Sequence, residues 1–350
     1  MKKVLYITNI QVPYRVEFFN QLAKECDLTV LYERESSDNR NSEWSTSNKD
    51  AYKKVFLNGF KTGRETSFSL KILKYIFGDY DTIIIGCYNS PVQMFAILIM
   101  RMFHKKFIIS TDGELFIGDH GLKNRLKKFF LDGADAYLTA GEKSAETLHK
   151  AIGNKRIIPY YFSSLTTKDI MNNTQQVCER QGFVLVVGQY YEYKGMDIAA
   201  GVARAMPNQR FKFVGMGKKT DLFVKECKIS KLNNVEIIPF LQKNELYEEY
   251  KKCKCLLLPT RQECWGLVVN EAASFGTPII ATYGSGAAIE FLADEYKIFL
   301  TTPGRIDEIS NTIRNSIFDN DLSVYLKEKS KKYNIENSVN IHISLINTLE

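Results

Sequence analysis

The chain has 350 residues, more than one ordinary hydrophobic core accommodates, so its length points to two domains. Its 45% hydrophobic and 25% charged residues are those of a soluble globular protein. The net charge of +7 is uneven: residues 1–165 carry 24 Lys and Arg against 18 Asp and Glu, whereas residues 166–350 carry 23 against 22. A basic first half points to contact with an acidic partner, a phospholipid, a phosphorylated lipid or a nucleic acid, with a merely solvated basic surface as the alternative.

In chain order, the first half opens with an expected strand at Lys3–Thr8. That apolar run is short and has no small-residue cleavage site after it, which argues against a secretory signal. A helix over Arg15–Lys24 and a strand at Leu28–Tyr32 follow, and the polar stretch Glu33–Lys49 reads as a loop. Further strands are expected at Val55–Leu57, Thr82–Ile85, Phe107–Ser110 and Ala136–Thr139. Helices are expected at Phe68–Phe77, Val92–Phe103, Lys123–Leu131 and Glu142–Ala151. The longest apolar stretch, Val92–Phe103, is broken by Gln93 and Arg101 and falls short of the roughly 20 residues that span a bilayer. Alternating strands and helices predict a doubly wound parallel sheet over residues 1–165.

Residues 166–181 are rich in Thr, Asn and Gln and read as a linker. The alternation then restarts. Strands are expected at Phe183–Gly188, Arg210–Val214, Val235–Ile238, Cys255–Pro259 and Pro278–Thr282, with helices at Met196–Ala205, Thr220–Lys228, Glu245–Lys252, Leu267–Phe275, Ala287–Leu292 and Ile306–Phe318. A second α/β domain thus spans 182–322, and a helical tail, 323–350, is free to cross back to the first domain. The seven cysteines are scattered, and none stands in a Cys/His cluster with zinc spacing. Reduced thiols in a cytoplasmic protein are the plain account.

Ligands of doubly wound sheets bind beyond the carboxyl ends of the strands, and two facing domains would offer a cleft there. In the second half, four loops follow strand ends: Gly188-Gln-Tyr-Tyr-Glu-Tyr-Lys-Gly195, Gly215-Met-Gly217 with Lys218 and Lys219, Glu263–Leu267, and Tyr283-Gly-Ser-Gly286. Lys194 can neutralise a pyrophosphate as a compact charge. Gly215 and Gly217 let backbone amides approach a ligand. Gly266, Leu267 and Val268 begin a helix whose free N–H groups can receive an anion. Glu263 and Glu271, with seven residues between them, are each able to accept from sugar hydroxyls. Taken singly, each has a plain alternative: a turn, a solvated loop carboxylate, a glutamate favouring the helix dipole. Four suitably furnished loops at one rim make coincidence the weaker account.

The run Glu263–Thr282, preceded by Leu258-Pro-Thr, resembles the donor-site signature of family-4 retaining glycosyltransferases of the GT-B fold. Gly188…Lys194-Gly195, Phe213-Val-Gly-Met-Gly217 and the Gly284–Glu290 loop follow that family's pattern in the same order, and Pro13-Tyr-Arg-Val-Glu-Phe-Phe-Asn-Gln-Leu22 is similar to the start of its bacterial surface-polysaccharide members. The resemblance implies two Rossmann-like α/β domains facing across a cleft. It also implies a donor set of Gln189, Lys194, Gly215, Gly217, Arg261, Glu263, Trp265, Gly266, Leu267, Val268 and Glu271. Lys194 and the amides near Gly266 would meet the diphosphate, Glu263 the transferred sugar and Glu271 the ribose, while Gly217 and Pro239–Leu241 would border the base. Three departures stand out. Gln189 replaces a frequent Arg, so Arg261 or Lys218 would have to supplement Lys194. Asn9-Ile-Gln-Val-Pro13 replaces a glycine pair. Ser110-Thr-Asp-Gly-Glu114 stands where a catalytic His is common. Asp112 is the candidate for that role, with an Asp-Gly turn as its alternative and His120 as a second candidate; Tyr14, Arg15, Asp112 and His120 form the expected acceptor set.

The implied reaction moves a hexose or N-acetylhexosamine from a nucleoside diphosphate sugar, with UDP the expected nucleotide, to a hydroxyl of a glycan or lipid-linked glycan. Catalytic weight falls on Glu263, Asp112 and Lys194. No cofactor is expected and no metal is assigned, because Asp79-Tyr-Asp81, which resembles the metal pair of another glycosyltransferase fold, precedes a strand in the wrong domain. Leu122–Leu131, with apolar residues on one face and Lys and Arg on the other, is able to lie on the anionic inner face of a cell membrane, and packing its apolar face on the sheet is the alternative. Three rival functions remain. A nucleotide-sugar epimerase would not need the Glu263/Glu271 spacing. A nicotinamide oxidoreductase would need a third glycine that Gly215-Met-Gly-Lys-Lys-Thr220 lacks. A nucleic-acid binder has no recognised motif here.

Overall fold

The computed structural model describes residues 1–35, 50–63, 65–86, 88–113, 121–176, 179–215, 220–238, 240–316 and 320–349. The chain forms two compact units, Met1–Ser163 with Ile335–Glu350, and Ser164–Asn334.

The first unit runs β1 (Lys3–Thr8), α1 (Pro13–Leu22), β2 (Asp27–Tyr32), β3 (Lys53–Phe56), β4 (Phe60–Lys61), β5 (Ser67–Phe68), α2 (Ile72–Ile76), β6 (Thr82–Ile85), α3 (Pro91–Met102), β7 (Phe107–Thr111), α4 (Leu122–Leu131), β8 (Ala136–Ala140), α5 (Gly141–Ile152) and β9 (Ile157–Tyr160). Seven strands pair in the order β3-β2-β1-β6-β7-β8-β9, all in parallel. Central strands such as Val4–Ile7 and Ile83–Ile85 are buried on both faces, which is why they read as unbroken apolar runs. Chain direction across the sheet reverses between β1 and β6, the point where such folds place ligands.

Helix α1 starts two residues before the expected Arg15, because Pro13 fits a first helical position whose N–H needs no partner. The helix expected at Phe68–Phe77 shrinks to Ile72–Ile76, since Ser67–Phe68 pairs antiparallel with Phe60–Lys61 instead.

The second unit runs α6 (Thr167–Thr174), β10 (Phe183–Val187), α7 (Met196–Ala205), β11 (Arg210–Val214), α8 (Thr220–Glu226), β12 (Val235–Ile238), α9 (Lys243–Lys252), β13 (Cys255–Leu258), α10 (Leu267–Ser274), β14 (Ile279–Thr282), α11 (Gly286–Phe291), β15 (Leu300–Thr301), α12 (Ile306–Asn315) and α13 (Asn320–Ser330). Its parallel sheet has the order β12-β11-β10-β13-β14-β15, and the reversal falls between β10 and β13.

The boundaries differ from the expected ones in two places. Residues 166–181, read as a linker, contain α6. Thr166 and Asp169 close a capping box at its start, Ile170 is buried, and Asn173 donates to Ser274 Oγ at 2.9 Å, so this segment is part of the second unit. The expected tail 323–350 divides between the units. Helix α13 stays with the second, whereas α14 (Ile335–Thr348) docks on α1 of the first. The His342 ring meets Phe18 and Tyr160 edge-on at 4.8 and 4.9 Å, and Lys2 Nζ donates to the carbonyl of Ile346 at 2.9 Å. Among the described residues no helix is long and apolar enough to cross a membrane.

Candidate functional site

In the second unit the loops that follow β10, β13 and β14 are sewn together. Thr260 Oγ1 and the Arg261 amide both donate to the Tyr193 carbonyl at 2.7 Å, and Thr282 Oγ1 donates to the Thr260 carbonyl. The Glu263 amide donates to the Gly284 carbonyl at 2.7 Å, and Glu263 forms a parallel bridge with Ser285. Ser285 caps α11 by accepting from the Ala288 amide and donates its hydroxyl to the Trp265 carbonyl at 2.6 Å. The result is a rigid rim at the sheet's reversal point.

Lys194 and Glu263 meet there. Lys194 ends a short 3-10 turn (Glu192–Lys194), and Gly195 follows in the left-handed region with φ 68°. A Cβ at Gly195 would lie 2.0 Å from the Pro259 carbonyl oxygen, so only glycine brings the lysine loop this close to the glutamate loop. Lys194 Nζ ion-pairs with Glu263 Oε1. Glu263 Oε2 is buried and has no hydrogen-bond partner among the described residues. Such a group costs about 1–3 kcal/mol if it stays unmatched, so an incoming donor is strongly favoured at this atom.

Gly266, with φ 108°, turns the chain into α10. Leu267 and Val268 are the first residues of that helix, where N–H groups have no intrahelical acceptor and the dipole favours an anion. Lys194 thus pairs with Glu263, and a Cβ at Gly266 would lie 3.7 Å from the Glu263 carboxyl carbon, with Leu267 and Val268 following at the start of α10.

Glu271 lies in the second turn of α10, not the first. Its two oxygens accept from Tyr250 OH at 3.0 Å and Ser164 Oγ at 3.2 Å. Burial pushes its carboxyl above the usual glutamate value, against the pull of those two hydrogen bonds. Arg261 is not free to supplement Lys194. It is forked onto Asp197 at 2.8 and 2.6 Å and donates to the Glu192 carbonyl at 2.6 Å. That bond holds the Asp197 carboxyl below its usual range. The Trp265 ring is buried at 3% exposure and its Nε1 donates to Asn270 Oδ1 at 2.8 Å, so it shapes the loop from beneath instead of facing a ligand. Gln189 is partly buried in the lysine loop, and Gly215 follows β11 with φ 82°. Gly217, Lys218, Lys219 and Pro239 lie outside the described residues.

In the first unit Asp112 follows β7. It ion-pairs with Arg15 and accepts from Tyr160 OH at 3.3 Å. Arg15 is 5% exposed, with the rings of Tyr6, Phe18 and Phe162 around its guanidinium. It thus holds Asp112 from within and does not reach toward an acceptor, contrary to expectation. Tyr14 packs edge-on to Phe162 at 5.9 Å. His120 lies outside the described residues.

Sequence reasoning missed Ser164, Tyr250 and Asp197, the partners that fix Glu271 and Arg261. Only Asp197 left a signal, as an acid in the first turn of α7.

Residues 168–333 match the family model of glycosyl transferases group 1. This segment is a glycosyltransferase group 1 domain. The chain is 26% identical over 230 residues to an uncharacterized glycosyltransferase of Methanocaldococcus jannaschii, a match covering 62% of each protein. It is 24% identical over 173 residues to the lipopolysaccharide glucosyltransferase WaaG of Escherichia coli, covering 48% of this chain and 46% of that one. The chain thus spans about three fifths and about half, respectively, of these curated relatives. Over the whole chain, the structure of HepE from Anabaena in complex with UDP and glucose superposes with a TM-score of 0.69 at 17% identity, covering 100% of both chains. The fold is GT-B.

Proposed function

We propose that the chain is a retaining glycosyltransferase that moves a hexose or N-acetylhexosamine from a UDP-sugar to a hydroxyl of a glycan or lipid-linked glycan in bacterial surface-polysaccharide synthesis. One observation carries this reading: at the reversal point of the second sheet, Lys194 holds one oxygen of Glu263 while the other is buried without a donor among the described residues. A sugar hydroxyl supplies that donor. The diphosphate lies against Lys194 and the first amides of α10, which stabilise the negative charge that grows on the leaving group. With Arg261 committed to Asp197, Lys194 carries most of the side-chain share of that task. Glu271 offers the ribose a carboxylate already oriented by Tyr250 and Ser164.

The choice of UDP draws support from the HepE complex, and the surface-polysaccharide role from the name of WaaG. Retention of configuration and independence from metal follow the family resemblance of the motifs. The protein would work in the cytoplasm. The epimerase alternative is not favoured, because the matching domain model and these relatives are glycosyltransferases.

A thermal-shift screen of nucleoside diphosphates and their sugars tests the reading. UDP-sugars at 100 times their Kd should stabilise the fold by about 2.7 kcal/mol. Incubation of the stabilising compound with acceptor should yield a retained glycoside, undiminished by excess chelator. No stabilisation by any nucleoside diphosphate, or conversion of the donor to an isomeric nucleotide sugar, would overturn it.

A further inference from the structure

The first unit exposes large apolar side chains in one region. Phe77, Leu98, Met102, Phe103, Leu126 and Phe129 are each between 41% and 62% exposed. They fall at the end of α2, on the second half of α3 and just after it, and on α4, and contacts link Phe77 to Phe103 and Phe129 to Arg101 of α3. Phe77 and Phe103 meet edge-on at 5.0 Å, Lys105 sits over the Phe77 ring at 6.0 Å, and the Arg101 guanidinium lies 4.5 Å from the Phe129 ring centre while donating to the Phe129 carbonyl. Arg125, Lys128 and Asp132 line a shallow cavity with Phe129 and Ile152, and Asp132 is itself paired with Lys155 at 3.4 Å, so the cations there remain in excess. The helix read in sequence as a separate amphipathic element therefore buries Phe130 and Leu131 in the unit and presents Leu126 and Phe129 among cations.

We propose that this α2–α3–α4 face docks on an anionic lipid bilayer. Aromatic and aliphatic tips enter the headgroup boundary while Arg101, Lys105, Arg125 and Lys128 meet lipid phosphates. Clustered exposed apolar side chains, unlike single ones, mark a surface that meets a partner. The charge pattern selects that partner. An isologous dimer would press this cationic face against its own copy, whereas an anionic membrane complements it. The inference extends the proposed function by naming the surface that would bring a lipid-linked acceptor within reach, and it stands on different residues from the donor site.

Vesicle flotation of the full chain is the test. Vesicles of phosphatidylcholine with phosphatidylglycerol should carry the protein, those of phosphatidylcholine alone should not, and raised salt should release it. Replacing Arg125→Gln with Lys128→Gln should weaken binding about thirtyfold, from roughly fivefold per charge. Met102→Ser with Phe103→Ser should weaken it about tenfold while leaving the salt dependence in place. Lys225→Gln with Lys231→Gln, exposed in the second unit, removes the same charge elsewhere and should leave binding within about twofold. Melting temperature and UDP-induced stabilisation, read on every variant, certify folding and keep the donor site out of the comparison. Equal binding to neutral and anionic vesicles, a control pair as damaging as the patch pair, or a dimer that Phe103→Ser dissolves without any vesicle binding would overturn the proposal. Failure in flotation with UDP stabilisation intact would sink this inference alone.

Discussion

Two carboxylates, one in each unit, sit close to the carboxyl ends of central strands, the first fully buried and the second with one buried oxygen, and their surroundings could hardly differ more. Glu33, directly after β2, has every oxygen occupied. Oε1 accepts from Ser90 Oγ at 2.5 Å and from Gln93 Nε2 at 2.7 Å, Oε2 accepts from the Ser67 amide at 3.0 Å, and Ser67 Oγ returns a bond to the Glu33 carbonyl. Glu263, after β13, shares one oxygen with Lys194, and its other oxygen has no partner among the described residues. The first pattern ties Ser67 of the β4–β5 pair to the end of β2; the second leaves an acceptor that the proposed sugar hydroxyl would match. An unmatched buried acceptor, not burial or charge itself, separates a ligand-ready carboxylate from a structural one.

The largest effect expected from that contrast is on turnover. Glu263→Gln keeps the shape but removes the charge paired with Lys194, and transfer should fall about 10²- to 10³-fold, the scale of losing one preorganised electrostatic contact. Stabilisation by UDP, which carries no transferred sugar, should change little. If kcat is retained while UDP binding collapses, Glu263 belongs to the diphosphate and not to the sugar. The same exchange at Glu33 should leave transfer within a few-fold.

At Glu33 the expected cost is in folding. Glu33→Ala strands three donors in a site with no water access, which by the usual cost of unmade bonds amounts to about 3 kcal/mol. For a unit of this size that corresponds to roughly 6–12 °C in Tm, measured by calorimetry with and without UDP. The pH dependence sharpens the point. Burial pushes the Glu33 carboxyl above its ordinary value, so the folded form binds its proton more tightly than the unfolded form does. Stability from this group is therefore fullest below the ordinary glutamate range. It declines as pH rises from there through the elevated value and levels off beyond it. Glu33→Gln should flatten that part of the Tm–pH curve. An unchanged slope would mean that Glu33 stays ionised throughout.

The pairing of Lys194 with Glu263 sits in two segments that stand out in the sequence, Lys194-Gly195 and the run from Glu263 through Gly266, so the residues of the proposed donor site could be picked out before the fold was known. Strands β1, β6, β11 and β12 were legible for the same reason, with bounds that the structure reproduces. The Glu33 lock was not, since its partners lie 34, 57 and 60 residues away and none is unusual alone. Nor was β9, whose Pro159 argues against a central strand; the sheet accepts it because β9 is an edge, with no further neighbour needing its N–H. The commitments of Arg15 to Asp112 and of Arg261 to Asp197 were hidden in the same way. A sequence shows that a cation is present, and only the fold shows which acid has already claimed it.

The smallest expected effect concerns the segment whose composition misled most. Residues 166–181 looked like a linker because apolar residues are sparse there, yet α6 needs few of them. Thr166 Oγ1 accepts from the Asp169 amide at 3.1 Å, the Asp169 carboxylate accepts from the Thr166 amide at 3.0 Å, and Ile170 supplies the buried anchor. Thr166→Ala should cost about 1 kcal/mol, the usual worth of such a cap, and lower Tm by roughly 2–4 °C. Glu271 is reached from the neighbouring Ser164, so a frayed α6 should loosen one of its two hydrogen bonds as well. The donor KM should then rise slightly while kcat holds. A Thr166→Ala protein that melts unchanged would mean that α6 takes its stability from Asn173 and Ser274 and that its cap is idle.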